Sequence, residues 1–457
     1  MFCDFLKKAK QTSWQILPLG VTSYGDSPYQ SPSGYALNPY FIDLELLIED
    51  GLLKIEDVEG VDFGSGDSID YGKLFENRKN ILKIATKNLK KGQSYREFVK
   101  TNEFWLEDYA LFMTLKELHG YREWSEWEDC YKKRKKVALN QLKKQNKDLV
   151  DYYKGEQYLA FSQWTNLKNY ANSLGIEIIG DMPIYSAYDS HDVWADKEGY
   201  LLDKDYKPTA VAGVPPDAFT ADGQLWGNPL YNWERERQNG FERWKRKLTH
   251  VKKLYDVVRI DHFRGFEAFF AIPYGKSAKC GKWIKAPGRE LFRVIKKEVK
   301  VDIIAEDLGL ITPAVRRLLK SCGFPNMRVL QFGFDGDLTH EYLPHNYPEN
   351  CVAYTGTHDN MPTKAWFDSL DQNKKKFVTD YAESKVHPVF GLIKKLFESK
   401  ANRVIIPIQD YLLEGDNARM NFPGKEMGNW TYRIKEEVLR DKSLIRTIRD
   451  LSEEVQY

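Results

Sequence analysis

Seven short apolar segments constrain the fold of this chain more than any other feature of its sequence. They are rich in Val and Ile, and most are separated by Lys- and Glu-rich stretches with helical spacing. Short continuous apolar runs are typical of strands that are buried on both faces, as in a parallel sheet. The segments are WQILPLG (14–20), IEIIGDMPIY (176–185), DVVRID (256–261), VDIIAED (301–307), MRVLQFGF (327–334), CVAYTGTHD (351–359) and RVIIPIQD (403–410).

The alternation of these strands with helical segments indicates an α/β fold with a parallel sheet. The stretches 290–300 and 312–323 have helical spacing, and the second opens with Thr312 as N-cap and Pro313 as its first helical residue. Strand after strand finishes in Asp, Glu, Arg or His. This pattern predicts a (β/α)8 TIM barrel, because such barrels carry their catalytic groups at the C-terminal ends of the strands.

The 457 residues exceed the roughly 250 that a barrel typically takes. We therefore predict a single catalytic barrel domain, residues 1–457, that carries two insertions. The first insertion, 55–165, is predicted to be a helical subdomain. Its segment WLEDYALFMTLKELHG ends at Gly120 and places four large apolar residues on one helix face, namely Trp105, Tyr109, Phe112 and Met113.

The second predicted insertion, 186–250, is an active-site loop insertion. Its stretch 211–233 is rich in Gly, Pro and aromatic residues, which excludes a helix. Long irregular loops in compact domains are usually lids or binding loops. A rigid surface crossover is the alternative.

Composition narrows the classes of partner. The 68 Lys and Arg against 66 Asp and Glu give a net charge of +2, which provides no global attraction to nucleic acid or to an anionic membrane. The basic run 131–136 is interpreted as a solvated helix face. The five cysteines lack CxxC spacing, and the sequence contains neither a secretory signal nor an apolar run long enough to span a bilayer. We expect a cytoplasmic protein without nucleic-acid or membrane partners, and the sequence does not indicate which proteins, if any, it binds.

One strand ends in charged residues that a buried segment would normally avoid. Burying a charge costs free energy unless the charge is paired or needed for function. Arg259 and Asp261 are two positions apart, so a strand places both on the same side. An opposite charge nearby typically lowers a carboxyl pKa by about 1–3 units, so we expect Asp261 to be an anion suited to nucleophilic attack. A structural Arg–Asp pair is the alternative.

Two further carboxylates end strands. Glu306 closes the segment 301–307, and the following helix already has Thr312 as its cap, so neither Glu306 nor Asp307 is needed for capping. Asp359 closes the segment 351–359 beside His358. In a barrel, carboxylates at three strand ends would converge on one axial site.

Three convergent carboxylates suit glycoside hydrolysis or transfer. An ionised carboxylate attacks the anomeric carbon while a protonated one, its pKa raised by burial, protonates the leaving oxygen. A third carboxylate would bind sugar hydroxyls more tightly in the transition state. Aromatic residues make up 14% of the chain, and those outside the core would stack on flat, uncharged ligands. Together these features favour a sugar substrate.

A series of long motifs runs in order from residue 14 to about residue 433. They are WQILPLGVTSYGDSPYQSPSGYALNPYFIDLELL, DMPIYSAYDSHDVWA, GVPPDAFTADGQLWGNPLYNW, RIDHFRGFEAFFAIP, IIAEDLG, YTGTHDN and ARMNFPG with a following GNW. Together they resemble the 4-α-glucanotransferase family, also called amylomaltase or disproportionating enzyme. The resemblance implies a cytoplasmic or plastid barrel enzyme that moves α-1,4-glucan segments between malto-oligosaccharides. It also implies retention of anomeric configuration and a reaction without metal or other cofactor.

The resemblance also implies roles for individual residues. The nucleophile falls on Asp261, the general acid/base on Glu306 and the transition-state stabiliser on Asp359. Substrate-binding positions fall on Arg259, His358, Asp181, Asn421, Ser27 and Tyr29, and on Asp217 and Trp226 of a loop that overhangs the active site. The alternative for Tyr29 and Trp226 is a packing role, and for Asp181 a buried pair.

The family differs from this sequence at the start of the barrel. Its members begin upstream of FCDFLKKAKQTSWQILPLG with a strand that forms the first barrel unit, so we expect a barrel whose first strand is missing at the N-terminus. An absent strand leaves its two neighbours with unpaired N–H and C=O groups. We expect the catalytic trio to survive and the protein to be less stable, unless another segment fills the gap.

Other functions remain open at this point. An α-glucan hydrolase of the amylase type would use the same carboxylates, and a glucan-binding protein inactivated by N-terminal truncation would keep the binding residues. A metal-dependent barrel hydrolase is a third alternative, since SHD, IDH and THD offer potential ligands. However, the eight histidines contain no HxH or HxxxH pair, the nucleus of many zinc sites.

Overall fold

The computed structural model describes residues 1–23, 25–216, 221–425 and 427–453. Seven parallel strands form one sheet that curves into a nearly closed barrel, in the order β1-β2-β5-β8-β9-β10-β11. All seven predicted segments contribute one strand each, which confirms the α/β barrel class. In chain order the strands are β1 Ser13–Gln15, β2 Glu177–Met182, β3 Ala210–Val214, β4 Gln224–Pro229, β5 Val257–Ile260, β6 Ala268–Pro273, β7 Lys282–Lys285, β8 Asp302–Ala305, β9 Asn326–Val329, β10 Cys351–Tyr354 and β11 Arg403–Ile405.

The helices of the described residues surround this barrel and fill its insertions. The first nine are α1 Phe2–Lys8, α2 Leu44–Glu49, α3 Tyr71–Asn88, α4 Gln93–Thr101, α5 Glu103–Leu118, α6 Asp129–Lys132, α7 Lys136–Gln145, α8 Lys147–Ser173 and α9 His191–Ala195. The others are α10 Trp233–Gln238, α11 Glu242–Leu254, α12 Gly288–Glu298, α13 Pro313–Cys322, α14 Thr363–Ser369, α15 Gln372–Ala382, α16 Pro388–Phe397, α17 Ile408–Tyr411 and α18 Lys442–Glu453. No helix among the described residues is both long and apolar enough to cross a membrane.

The central strands of the barrel are buried on both faces, as their apolar composition predicts, whereas the edge strands β1 and β11 are half-buried. All four residues of β5 and all four of β10 are buried. The register between β2 and β5 places Asp181 opposite Arg259, and Arg259 in turn lies opposite Ile304 of β8. Two charged residues from segments far apart in the chain therefore occupy one layer of the barrel.

Local signals set the ends of the predicted helices. The Thr312 side chain accepts a hydrogen bond from the Val315 backbone at the start of α13, and Gly323 ends that helix in the left-handed conformation at φ +69°. Trp105, Tyr109 and Phe112 of α5 are buried, as their spacing predicts. Helices α3 to α8 lie largely within the first predicted insertion. The boundaries of the two insertions, 55–165 and 186–250, stay predictions.

The stretch 211–233 is more regular than the sequence indicates. Strands β3 and β4 form an antiparallel hairpin within a second sheet, ordered β4-β3-β6-β7. Gly213 permits this pairing, because a Cβ there would lie 2.2 Å from the Gln224 carbonyl oxygen. The expectation of an irregular loop is therefore wrong for 211–214 and 224–229, which form strands. The Gly, Pro and aromatic content of the stretch indicated a loop and concealed the hairpin, and only the pairing of β3 with β6 joins segments far apart in the sequence.

The barrel has one seam among the described residues, between the edge strands β1 and β11. A cavity of about 290 Å³ lies along it and is lined by residues of both strands, among them Trp14 and Val404. At the N-terminal ends of the strands, the Arg403 guanidinium of β11 lies 2.7 Å from the Glu177 carboxylate of β2. The unpaired strand edges agree with the expected seven-stranded barrel.

Candidate active site

Three carboxylates follow three barrel strands at the same rim. Asp261 comes directly after β5, Glu306 directly after β8, and Asp359 lies in the loop that follows β10. Because the three strands are parallel, their C-terminal ends share one end of the barrel. Backbone hydrogen bonds fix the first two: Asp261 N–H donates to the Met182 carbonyl and Glu306 N–H to the Ile260 carbonyl, both at 3.1 Å.

Arg259 contacts two carboxylates at once. Its Nη1 donates to Asp181 Oδ2 at 2.5 Å, and its Nη2 lies 3.6 Å from Asp261 Oδ1. The closer ion pair is therefore with Asp181, a partner that the sequence did not indicate.

Arg259 lowers the pKa of Asp261, as expected, but the net pKa is raised well above its usual value, which contradicts the expectation that Arg259 decides the charge of Asp261. Burial is the main cause, and the neighbouring charges of Asp181, Glu306 and Asp359 act in the same direction against Arg259. The spacing argument failed because it counted one neighbouring charge, whereas the fold brings three further carboxylates to the same place.

Glu306 is held by two backbone N–H groups. His262 N–H donates to Oε2 and Leu308 N–H to Oε1, each at 2.7 Å. His262 presents its N–H from the left-handed conformation, φ 49° and ψ 51°, which is uncommon for a residue other than glycine. Burial raises the pKa of Glu306, against the opposing effects of Arg259 and of these two donors.

Asp261 and Glu306 follow neighbouring strands, and the N–H of His262, the residue after Asp261, donates to Glu306. Burial raises the pKa of both carboxyl groups, and the negative charge of Glu306 adds to the effect on Asp261. The pair therefore favours a state with one proton and one negative charge. That is the state in which one carboxylate attacks and the other donates a proton.

Asp359 belongs to a second group of contacts, which includes Asn421, His358 and Tyr29. Asn421 Nδ2 donates to its Oδ1 at 2.6 Å, and His358 Nε2 lies 3.4 Å from the same oxygen. The Tyr29 hydroxyl lies 3.1 Å from His358 Nε2 and donates to Asp181 Oδ2 at 2.6 Å. One continuous polar network thus runs from Asp261 through Arg259 to Asp359.

Three further residues were predicted to bind substrate, namely Trp226, Ser27 and Asp217. Trp226, on β4, packs edge to face against the His262 ring at 4.8 Å between ring centres and so borders the Asp261–Glu306 pair. Ser27 accepts a hydrogen bond from Tyr29 N–H at 3.3 Å, which forms the turn that carries Tyr29. Asp217 lies outside the described residues.

Sequence reasoning missed two residues that hold the carboxylates. His262 supplies a donor to Glu306, and Arg419 donates through Nη2 to the Asp359 carbonyl at 2.5 Å. Arg419 precedes Asn421 by two positions, which would place both on one side of an extended segment and was an available signal. The role of His262 depends on its backbone conformation, for which the sequence contains no signal.

No group of three or more His, Cys, Asp or Glu side chains in the described part of the chain has the arrangement of a metal site. The site therefore consists of carboxylates, one guanidinium, a phenol, an imidazole and an amide. Such groups bind sugar hydroxyls and carry out acid–base and nucleophilic chemistry at a glycosidic bond.

Comparison with known proteins decides the family. The sequence model of the family described as 4-alpha-glucanotransferase matches residues 1–439. The chain belongs to the 4-alpha-glucanotransferase family. A 4-alpha-glucanotransferase of Clostridium butyricum is 46% identical over 96% of this chain and 92% of that protein. The chloroplastic/amyloplastic 4-alpha-glucanotransferase of Solanum tuberosum is 40% identical over 95% of this chain and 77% of that protein.

Solved structures agree with this assignment. An amylomaltase from Streptococcus agalactiae in complex with acarbose matches with a TM-score of 0.96 at 39% identity, covering 99% of this chain and 94% of that one. The amylomaltase from Corynebacterium glutamicum is 18% identical with a TM-score of 0.78, over 99% and 72% of the two chains, and shares the fold. The protein is thus an enzyme with the transferase activity of the 4-alpha-glucanotransferase family, and its substrates are α-glucans.

Proposed function

We propose that this 4-alpha-glucanotransferase moves α-1,4-glucan segments between malto-oligosaccharides, with Asp261 as nucleophile, Glu306 as general acid/base and Asp359 as transition-state stabiliser. The observation that carries the proposal is that Asp261 and Glu306 follow adjacent parallel strands and that the charges of Glu306 and Asp359 both act on Asp261. The resemblance of the surrounding motifs to the family supports the same roles.

The reaction has two displacements. Asp261 attacks the anomeric carbon of the donor, the bond to the leaving oxygen breaks, and Glu306 gives its proton to that oxygen. The product is a glucosyl–Asp261 ester. The 4-hydroxyl of an acceptor sugar then attacks the same carbon and passes its proton to Glu306, which frees Asp261. Two inversions at one carbon retain the anomeric configuration.

The binding residues surround the position of the reacting sugar. We assign hydroxyl contacts to Asp181, Arg259, Tyr29 and His358, which share hydrogen bonds in the polar network, and to Asn421 beside Asp359. Asp359 would bind hydroxyls of the same ring and strengthen this contact as positive charge develops. The acarbose complex of the Streptococcus agalactiae relative supports a site for oligosaccharides.

The β3–β4 hairpin would cover the intermediate. Trp226 reaches the Asp261–Glu306 pair from this hairpin, and we assign it, Ser27 and Asp217 to glucan binding on the family resemblance. A covered site excludes water and so lets the ester await a sugar hydroxyl. Hydrolysis of the amylase type is the alternative outcome for the same intermediate.

Incubation with maltotriose tests the activity. A transferase yields glucose together with longer oligosaccharides, a hydrolase yields shorter products alone, and a binding protein leaves maltotriose unchanged. Longer products are expected, and their absence would contradict the proposal.

The substitution Asp261→Asn tests the nucleophile. It removes the attacking charge with little change of shape, so transfer should fall by several orders of magnitude while the affinity for maltotriose, measured by calorimetry, is retained. Asp302→Asn, at an exposed carboxylate on the opposite end of the barrel, is the matched control and should leave transfer unchanged. Near-normal turnover in the Asp261 variant would rule the assignment out.

We also propose a cytoplasmic location. The family resemblance supports it, and so do the five cysteines, all of which carry free thiols, as is usual in a reducing compartment. Cell fractionation with antibody detection would test this.

A further inference from the structure

Asp410 is a buried carboxylate at the rim of the barrel that the proposed reaction does not use. It lies on α17, directly after β11, and is 1% exposed. Its Oδ2 accepts hydrogen bonds from the hydroxyls of Thr355 at 2.5 Å and Thr363 at 2.7 Å. Its Oδ1 accepts the backbone N–H of Thr363 at 2.6 Å. Thr355 and Thr363 are both fully buried.

These two threonines mark the ends of one loop. Thr355 directly follows β10, and Thr363 is the first residue of α14. The loop between them carries His358 and Asp359. A single carboxylate therefore joins both ends of the segment that presents the third carboxylate of the site, and it does so from α17, the helix after the neighbouring strand β11.

The same part of the chain also holds the middle of this loop. After α17, Arg419 donates to the Asp359 carbonyl and Asn421 donates to the Asp359 side chain. Asn421 N–H also donates to the His358 carbonyl at 3.0 Å. The loop is thus fixed at its two ends by Asp410 and at its centre by Arg419 and Asn421.

Capping of a helix explains only part of this arrangement. The bond from Thr363 N–H makes Asp410 an N-cap for α14 supplied from another element. A cap would be complete without Thr355, which lies eight positions before Thr363 and belongs to the strand end. The hydrogen bond from Thr355 to the same carboxylate also fixes the end of β10 relative to the start of α14.

We infer that Asp410 is a positioning residue for Asp359, which sets the loop 355–363 so that Asp359 meets the sugar ring in the transition state. This inference rests on the proposed role of Asp359. Asp359 is 47% exposed in its side chain, so its own packing does little to fix it. Its position depends on the backbone that Asp410 closes and on Asn421.

Loss of the Asp410 carboxylate should slow the chemical step. Displacement of a reacting group by about 1 Å can cost about 100-fold in rate. Because Asp410 touches no substrate, we expect Asp410→Ala to lower kcat by about 10- to 100-fold while KM changes little. Asp410→Asn should remain within about threefold of the parent, since its amide can donate to both threonine hydroxyls and its oxygen can accept from Thr363 N–H.

The matched control is Asp256→Ala, at the opposite end of the barrel. Asp256 also joins chain segments, because its Oδ2 accepts from Ile178 N–H and from Asn172 Nδ2, each at 2.8 Å. We expect this variant to lose stability in urea denaturation while its kcat stays at the parent value. Thr355→Val, which removes one hydroxyl without changing side-chain volume, should lower kcat by about 3- to 10-fold.

A double-mutant cycle with Asp359→Asn decides whether Asp410 acts through Asp359. The rate is measured with α-maltosyl fluoride as donor and maltose as acceptor. We expect Asp410→Ala to lower kcat in the parent protein and to have almost no further effect once Asp359 is Asn. If Asp410→Ala does not fold, Thr355→Val takes its place in the cycle.

The possible outcomes distinguish failure of the inferred role of Asp410 from failure of the proposed role of Asp359. An equal fold-loss of kcat in both backgrounds, or a loss of stability with unchanged kcat, would overturn the role of Asp410. A near-parental kcat for Asp359→Asn alone would instead overturn the proposed role of Asp359.

Discussion

At the scale of single residues, Tyr29 links the two halves of the site. Its hydroxyl donates to Asp181 and contacts His358, and Asp181 in turn receives the Arg259 guanidinium. The pKa of Tyr29 is raised well above its usual value by burial and by the charge of Asp181, so the phenol keeps its proton. Tyr29 therefore acts as a hydrogen-bond donor throughout the pH range of the reaction.

Tyr29→Phe removes this hydroxyl without changing the ring. A hydrogen bond to a charged group contributes about 1.5–3 kcal/mol, so kcat/KM for maltotriose should fall by about 10- to 100-fold. Tyr170→Phe is the matched control, because its hydroxyl also donates to a carboxylate, that of Asp4, at 2.5 Å. Unchanged kcat/KM in Tyr29→Phe would show that the bridge does not serve the reaction.

At the scale of elements, helix α8 carries a carboxyl group into the core of the helical insertion. Glu156 is 3% exposed and accepts the Tyr152 hydroxyl at 2.5 Å. Burial raises its pKa to about 7, with Lys79 acting in the opposite direction. The adjacent Gln157 bonds both the N–H and the carbonyl of Leu37, so this helix also holds the segment after Tyr29.

Glu156 should make stability depend on pH. Its carboxyl group ionises near 4.3 when unfolded and near 7 when folded, so between these values the folded state binds more protons. The free energy of unfolding then falls as pH rises through this window. Glu156→Gln keeps an acceptor for Tyr152 and should be the more stable protein at pH 8, by at most about 4 kcal/mol, with no gain at pH 4. Urea denaturation at both pH values measures this, and parallel curves for the two proteins would contradict it.

At the scale of the whole molecule, the seam between β1 and β11 is the weakest part of the barrel wall. Each edge strand pairs with one neighbour only, β1 with β2 and β11 with β10, whereas β5 pairs on both sides. Half of the backbone groups of an edge strand lack a partner in the sheet. Local opening should therefore begin at this seam.

Amide hydrogen exchange tests the seam. Peptides that cover β1 and β11 should exchange faster than the peptide that covers β5, because each edge strand pairs on one side only whereas β5 pairs on both. Mass spectrometry after brief labelling measures the difference. Equal protection of β11 and β5 would indicate that the wall is as stable at the seam as elsewhere.

The sequence alone determined the seven barrel strands, their alternation with helices and the carboxylates at their ends. These features follow from local chemistry: apolar runs must be buried, Thr312 caps its own helix, and Asp261, Glu306 and Asp359 directly follow or close apolar segments. The family motifs then supplied the roles, because each motif is contiguous in the chain.

Only the tertiary structure decided which of these groups meet. The pairing of Arg259 with Asp181 depends on the register of β2 against β5, and the contact of Tyr29 with His358 joins positions 329 apart in the chain. The raised pKa of Asp261, the hairpin β3–β4 and the closing of the Asp359 loop by Asp410 likewise arise from segments that the sequence separates. Periodicity and spacing report on neighbours along the chain, whereas electrostatics and register depend on neighbours in space.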